Sequence, residues 1–213
     1  MRLIRIIINI TIPFFLVILF ASLLTTKPYL MLSKGLYDSH DDITFDHEYA
    51  IERVIGYLNY RYDDLDFGAT PEDDDIIMRD TELRHMVDVK NLYTYLRLAA
   101  LGALLIGGSL SYYLYRKDKN ELYQTYRTMP LFPIFFILFV GGYMIIDFDT
   151  AFTAFHLIFF NNDDWILYAD DVLIQMLPQM FWMVSGLIIL ALFSATIAGL
   201  YALNEKIVKK RTM

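Results

Sequence analysis

Four long stretches of this chain carry no charge, and that constrains its fold more than any other feature. Ile6–Leu24, Leu98–Tyr115, Met129–Ile146 and Met180–Leu203 contain no Asp, Glu, Lys or Arg. A bilayer's hydrocarbon core is about 30 Å thick and is crossed by a helix of about 20 residues. Each stretch is therefore long enough to span. The 213 residues are 56% hydrophobic with a mean hydropathy of +0.40, against roughly 45–50% apolar residues in soluble domains. This excludes a soluble enzyme, a nucleic-acid binder and a disordered protein. There is no cysteine, which excludes disulfides, thiolate metal sites, cysteine nucleophiles and thiol redox chemistry.

The basic residues orient the spans. Arg2 and Arg5 precede the first; Arg116, Lys117, Lys119 and Arg127 lie between the second and third; Lys206, Lys209, Lys210 and Arg211 follow the fourth. Only Asp118, Glu121 and Glu205 oppose them. By the positive-inside rule these regions are cytoplasmic, so both termini are inside. The other two connections are acidic: 26–93 carries 16 acids and seven bases, and 147–176 six acids and no base. Both face outward.

The expected architecture is an all-α membrane protein. Transmembrane helix 1 (1–25) leads to an extracytoplasmic domain (26–93), small and mainly helical with room for short strands. Helix 2 (94–115), a cytoplasmic loop (116–128) and helix 3 (129–148) follow. An interfacial loop (149–178), helix 4 (179–204) and a cytoplasmic tail (205–213) complete it. The first span is too long for a signal-peptide h-region and reads as uncleaved, with Pro13 as a kink site.

In the first outer segment, Ile51, Val54, Ile55 and Leu58 recur at i, i+3, i+4 and i+7. That predicts an amphipathic helix over about 46–61. Gly68–Pro71 signals a turn. The acid run 72–75 lacks EF-hand spacing and reads as a solvated loop. Ile76–Met78 reads as a short strand. Asp80 or Thr81 would then cap a helix running into the second span. His85, Met86, Val89, Leu92, Tyr93 and Leu96 share one face of it. Arg97 would snorkel at the outer interface. In the second outer segment, Phe152, Phe155 and Phe159 share a helical side, and Ala151–Phe160 is too short to span. It reads as re-entrant or interfacial, with Trp165 and Tyr168 at the same depth.

All four histidines fall in outward segments. His40 and His47 sit among acids and read as surface or packing residues. His85 and His156 come from different segments but one depth, the lipid–water boundary, and so form a candidate shared site. Asp88, three residues after His85, is spaced to accept a ring N–H and leave the other nitrogen as a base. It is equally spaced to pair with Arg84. Asn161 and Asn162 are candidate oxyanion donors or caps for a short helix. No Gly-x-Ser-x-Gly and no His-Glu-x-x-His occurs.

Two motifs carry a resemblance. Arg84-His85-Met-Val-Asp88-Val-Lys90 is one; Phe155-His156-Leu-Ile-Phe-Phe-Asn161, continuing through Trp165 to Asp171-Val-Leu-Ile-Gln-Met-Leu-Pro178, is the other. With the four-span plan, they make the chain resemble the Lit family, the lipoprotein intramolecular transacylases, over nearly its whole length. Leu157 and Asp170 stand where relatives often have an acidic residue and a proline, so no role is assigned to the side chain at 157.

The resemblance implies an acyltransferase. It would move the sn-2 acyl chain of a diacylglyceryl-cysteine lipoprotein onto the cysteine α-amine, giving the lyso form, at the outer leaflet of a bacterial plasma membrane. His85 and His156 would be catalytic, with Arg84, Asp88, Lys90, Asn161 and Trp165 binding substrate, stabilising an oxyanion or orienting the histidines. Acyl tails would lie among the spans, where Gly102, Gly107 and Gly108 give room or close helix contact. The partners are lipoproteins and the bilayer; no cofactor, metal or nucleic acid is implied, and a monomer is expected. Two rivals follow from the residues alone. A bis-histidine haem protein would show a Soret band, and a non-enzymatic scaffold would leave lipoproteins unchanged when its histidines are replaced.

Overall fold

A computed structural model describes residues 1–37, 46–65 and 78–212. The elements are α1 (Arg2–Leu24), α2 (Lys27–Tyr37), α3 (His47–Leu58), α4 (Asp80–Lys117), α5 (Lys119–Thr128), α6 (Leu131–Phe136), a π-helical turn (Ile137–Gly141), α7 (Gly142–Ile146), α8 (Phe148–Phe159), α9 (Val172–Met176) and α10 (Gln179–Thr212). No strand occurs among the described residues. His40, the turn at 68–71, the acid run and Ile76–Ile77 lie outside them, and Met78 is not in a strand. The chain divides into two compact units, one of residues 1–21, 96–148 and 186–213, the other of 22–95 and 149–185.

The first unit holds most of the uncharged stretches, all but 22–24 and 180–185. Among the described residues three helices are long and apolar enough to cross a membrane: Arg2–Leu24, Asp80–Lys117 and Gln179–Lys210. The stretch Met129–Ile146 differs from the single helix expected. It is helical but broken into α6, the π-turn and α7. Pro130 and Pro133 open it, and Gly141-Gly142 end the π-turn, residues that interrupt regular i→i−4 bonding. A Cβ on Gly141 would stand 2.7 Å from a terminal methyl of Leu190, so a larger residue there would make that side chain of α10 move.

Ile8, Leu114, Met129, Phe193 and Ile197 form this unit's core. Polar side chains join its helices. Arg5 pairs with Glu121 at 3.0 Å, the amide of buried Asn9 donates to Thr128 at 3.0 Å, and that of Asn204 to the Tyr123 carbonyl at 3.1 Å. Such bonds stabilise helix association where lipid offers no partner. Of the three glycines expected to make space, only Gly107 meets a neighbour, its Cβ position lying 2.6 Å from Thr11 Oγ1; Gly102 and Gly108 face open space.

The second unit is built around α3, the helix predicted from its four-residue apolar pattern. Asp46 caps it, its carboxylate accepting from the N–H groups of Glu48 and Tyr49 at 2.9 and 3.1 Å; such a cap typically stabilises by about 1 kcal/mol. Ile51, Val54 and Leu58 are buried against Leu30, Met86, Val172, Leu173 and Met176, with Ile55 at the edge. His47 is buried in the first turn, a packing position. The helix ends in a Schellman motif without glycine: Tyr60 takes φ 58°, its N–H reaches the Tyr57 carbonyl at 3.1 Å, and the Arg61 N–H reaches Gly56 at 2.7 Å. A left-handed tyrosine is disfavoured by about 1–2 kcal/mol. Its side chain offsets this through a 2.7 Å hydrogen bond to Thr94 and the Lys90 ammonium 4.4 Å from its ring.

α4 begins at Asp80 itself, so neither Asp80 nor Thr81 caps it as expected. Instead Glu82 accepts the Arg79 N–H at 2.8 Å, half of a capping box. α8 buries a single side chain, His156. Phe155, Leu157, Ile158 and Phe159 are exposed around it, a contiguous apolar surface of a size that soluble monomers rarely leave open.

Candidate active site

His85, on the second turn of α4, and His156, on the last turn of α8, meet. Their ring centroids are 5.9 Å apart, and the residues are 8% and 6% exposed. Aromatic rings enclose them. Phe160 stands edge-on to His85 at 5.2 Å and 5.6 Å from His156. Phe152 lies 4.1 Å and Phe155 5.4 Å from His156, and Trp165 stacks on it at 4.9 Å.

One hydrogen bond assigns the tautomer. His156 Nδ1 lies 2.8 Å from the Phe152 carbonyl. A carbonyl can only accept, so Nδ1 carries the proton and Nε2 of the neutral ring keeps its lone pair. The backbone of α8 thus does for His156 what Asp88 was expected to do for His85. His85 Nδ1 is buried without a partner among the described residues, as is the Trp165 indole nitrogen.

Burial holds both rings neutral. It lowers the His85 pKa to about 4, helped by His156 and opposed by Asp88 and Asp164. It also lowers that of His156, against the opposing pull of the Phe152 carbonyl. At neutral pH the site therefore offers an unprotonated nitrogen on His156 and an uncharged imidazole on His85.

The polar residues fall differently from either sequence expectation. Asp88 accepts from the Asn162 amide at 2.8 Å, and among the described residues no hydrogen bond joins it to His85 or Arg84. Arg84 makes a two-pronged pair with Asp164 at 2.7–3.1 Å, which lowers the Asp164 pKa. Asn162 also turns its own loop, accepting the Asp164 N–H at 3.1 Å. Lys90 is directed away, its ammonium 3.9 Å from the Tyr57 ring and 4.4 Å from that of Tyr60. Asn161 is exposed and its neighbour takes the structural role. Sequence reasoning missed Phe160 and Asp164. The charged pair lies 80 residues apart, beyond any local spacing. A separate open cavity of about 290 Å³, lined by Lys27, Glu52, Asn59 and Arg61 among others, contains no histidine.

Comparison with known proteins gives the family and the fold. Residues 3–182 match the family described as lipoprotein intramolecular transacylase Lit. The chain belongs to the Lit family. The fold is that of the membrane-integral Lit of Bacillus cereus, 24% identical, with a TM-score of 0.76 over 100% of this chain and 97% of that one. Two further structures of the Bacillus cereus protein carry a histidine replaced by alanine or by arginine. They match at TM-scores of 0.74 and 0.72, with 24% and 25% identity, over 100% of this chain and 95% and 93% of theirs. No curated protein matches. As a Lit family member the chain is an acyltransferase and a multi-pass membrane protein.

Proposed function

We propose that this chain moves the sn-2 acyl group of a diacylglyceryl-cysteine lipoprotein to the α-amine of the same cysteine, with His156 as general base. The observation that carries this reading is the His156–Phe152 hydrogen bond, which leaves Nε2 unprotonated within the aromatic site beside His85. The α-ammonium first gives one proton to solvent; the free amine nitrogen then attacks the ester carbonyl carbon and passes a second proton to His156 Nε2. The carbonyl oxygen becomes an oxyanion, to which the neutral His85 donates a ring N–H. Collapse breaks the bond to the glyceryl sn-2 oxygen, which takes the proton from His156. One C–N bond forms and one C–O bond breaks, so the product is an isomer and no acyl-enzyme is needed. Proton transfer of this kind contributes roughly 10²–10⁴ in rate. Holding amine and ester within one molecule contributes about 7 kcal/mol or more in favourable geometry.

Asp88 fits the incoming α-ammonium. Its carboxylate is oriented by the neutral Asn162 amide, while Arg84 and Lys90 are engaged elsewhere. Asp88→Asn is expected to raise KM for a diacylglyceryl-cysteine lipopeptide with a smaller change in kcat. An unchanged KM would remove Asp88 from substrate binding.

The same reading includes four spans, the third running through the broken stretch Met129–Ile146, which tolerates its π-turn when packed against other helices. Both termini are cytoplasmic, and 26–93 and 149–178 are extracytoplasmic, as the basic residues favour. Cysteines introduced at Ser39 and Asn162 are expected to react with an impermeant maleimide in intact cells, and one at Lys119 not to; the reverse pattern overturns the orientation. The reaction itself is tested by mass spectrometry of one lipoprotein N-terminal peptide from cells with and without the chain. An N-acylated, singly O-acylated cysteine that appears only with the chain is expected. An identical diacylglyceryl form in both would refute it.

A further inference from the structure

Glu82 is a fully buried carboxylate, 0% exposed, that lies outside the aromatic site. Both oxygens are engaged by backbone. Oε2 accepts the Arg79 N–H at 2.8 Å, which closes the first turn of α4. Oε1 accepts the Leu173 N–H at 2.9 Å, from a segment 91 residues away. A second acid answers from that segment. Asp171, whose side chain is wholly buried, takes the guanidinium of Arg79 and the Tyr168 N–H, the latter at 2.6 Å. The bonds cross: each segment's acid holds a donor of the other.

The two laced segments each lead to the histidine site. His85 follows Glu82 by three residues on α4, less than one turn. Tyr168–Leu173 continues directly from Trp165, which stacks on His156. We propose that Glu82 is a positioning residue: its two-sided hydrogen bonding holds His85 in place against the Trp165–His156 stack. An apolar contact could hold the segments together, but not fix their register. Two directed bonds to backbone do both, and a buried N–H that loses its acceptor pulls the segment toward another arrangement.

The kinetic arm of the test rests on the proposed transacylation; the spectroscopic arm does not. The full chain, labelled with ¹⁵N and ¹³C histidine in lipid nanodiscs, is compared with Glu82→Gln and Glu82→Asp. The glutamine presents an NH₂ to one of the two N–H donors. The aspartate keeps the short-range bond to Arg79 and is too short for Leu173. Both variants are expected to shift the His85 and His156 ring signals and to move the low His85 titration midpoint toward the ordinary 6.5. kcat on a diacylglyceryl-cysteine lipopeptide is expected to fall on the order of 10²-fold, as for other small misplacements, with KM within about twofold. Glu52→Gln, whose parent carboxylate pairs with Lys27, serves as the control and leaves signals and rates unchanged. Should one variant not fold, the other decides. A folded variant with unmoved histidine signals, or one that only unfolds earlier, overturns the proposal. If the unmodified chain does not turn over the lipopeptide, the transacylase reading fails, and the ring signals still judge the clamp.

Discussion

His156→Ala is expected to lose roughly 10²–10⁴ of the rate of acyl transfer, because it removes the ring whose Nε2 the Phe152 carbonyl keeps free. His85→Ala is expected to fall in the same range through loss of the oxyanion donor, a single such donor being worth about 10²–10³. The double variant is expected to be little slower than either single one, since groups acting as a unit are not additive. Rates are read as N-acylated product per folded enzyme, so that stability does not enter. His40→Ala serves as a control. His47 does not, because it is buried in the first turn of α3 and its removal acts on packing. Undiminished transfer in both folded single variants would mean that the pair is not catalytic.

The second large effect is on stability in acid. His85 has its pKa lowered in the fold to about 4, chiefly by burial, whereas the unfolded value is about 6.5. Between those values the unfolded chain binds a proton that the folded chain refuses. Stability therefore rises with pH through this window and is lost as pH falls. The difference amounts to about 3 kcal/mol for this one ring. Carboxylates titrate over the same range, so the comparison is with His85→Gln, which has no such group. Between pH 7 and pH 4 the unfolding free energy of the unmodified chain is expected to drop by about 3 kcal/mol more than that of the variant. Parallel curves would show that His85 is not held neutral by burial.

What could be read from the sequence followed from periodicity and composition. Ile51, Val54, Ile55 and Leu58 announce a helix because the spacing is the helix's own period, and α3 forms there with those side chains against the core. The histidine pair was legible because both residues stand at the same boundary of apolar segments. The polar contacts were not. Asp88 has plausible local partners at three and four residues, yet the Asn162 amide, 74 residues on, takes it. Lys90 is drawn off by Tyr57 and by Tyr60, whose left-handed backbone nothing in the sequence signals. The interruption of Met129–Ile146 was partly visible in its two prolines and paired glycines, which hydropathy counts as permissive but backbone geometry does not.

In the proposed reaction one enzyme-bound lipoprotein exchanges its own ester for its own amide. An equal mixture of two synthetic diacylglyceryl-cysteine lipopeptides tests it most directly. One carries a ¹³C-labelled sn-2 acyl chain on a light peptide, the other an unlabelled chain on a heavy peptide. After incubation with the purified chain, fragmentation locates the acyl groups. The predicted result is an unchanged total mass, labelled amide only on the light peptide, and none of it formed by the His85→Ala/His156→Ala variant. Labelled amide on the heavy peptide, a changed mass, or the same product from the double variant would rule out intramolecular transfer by the histidine pair.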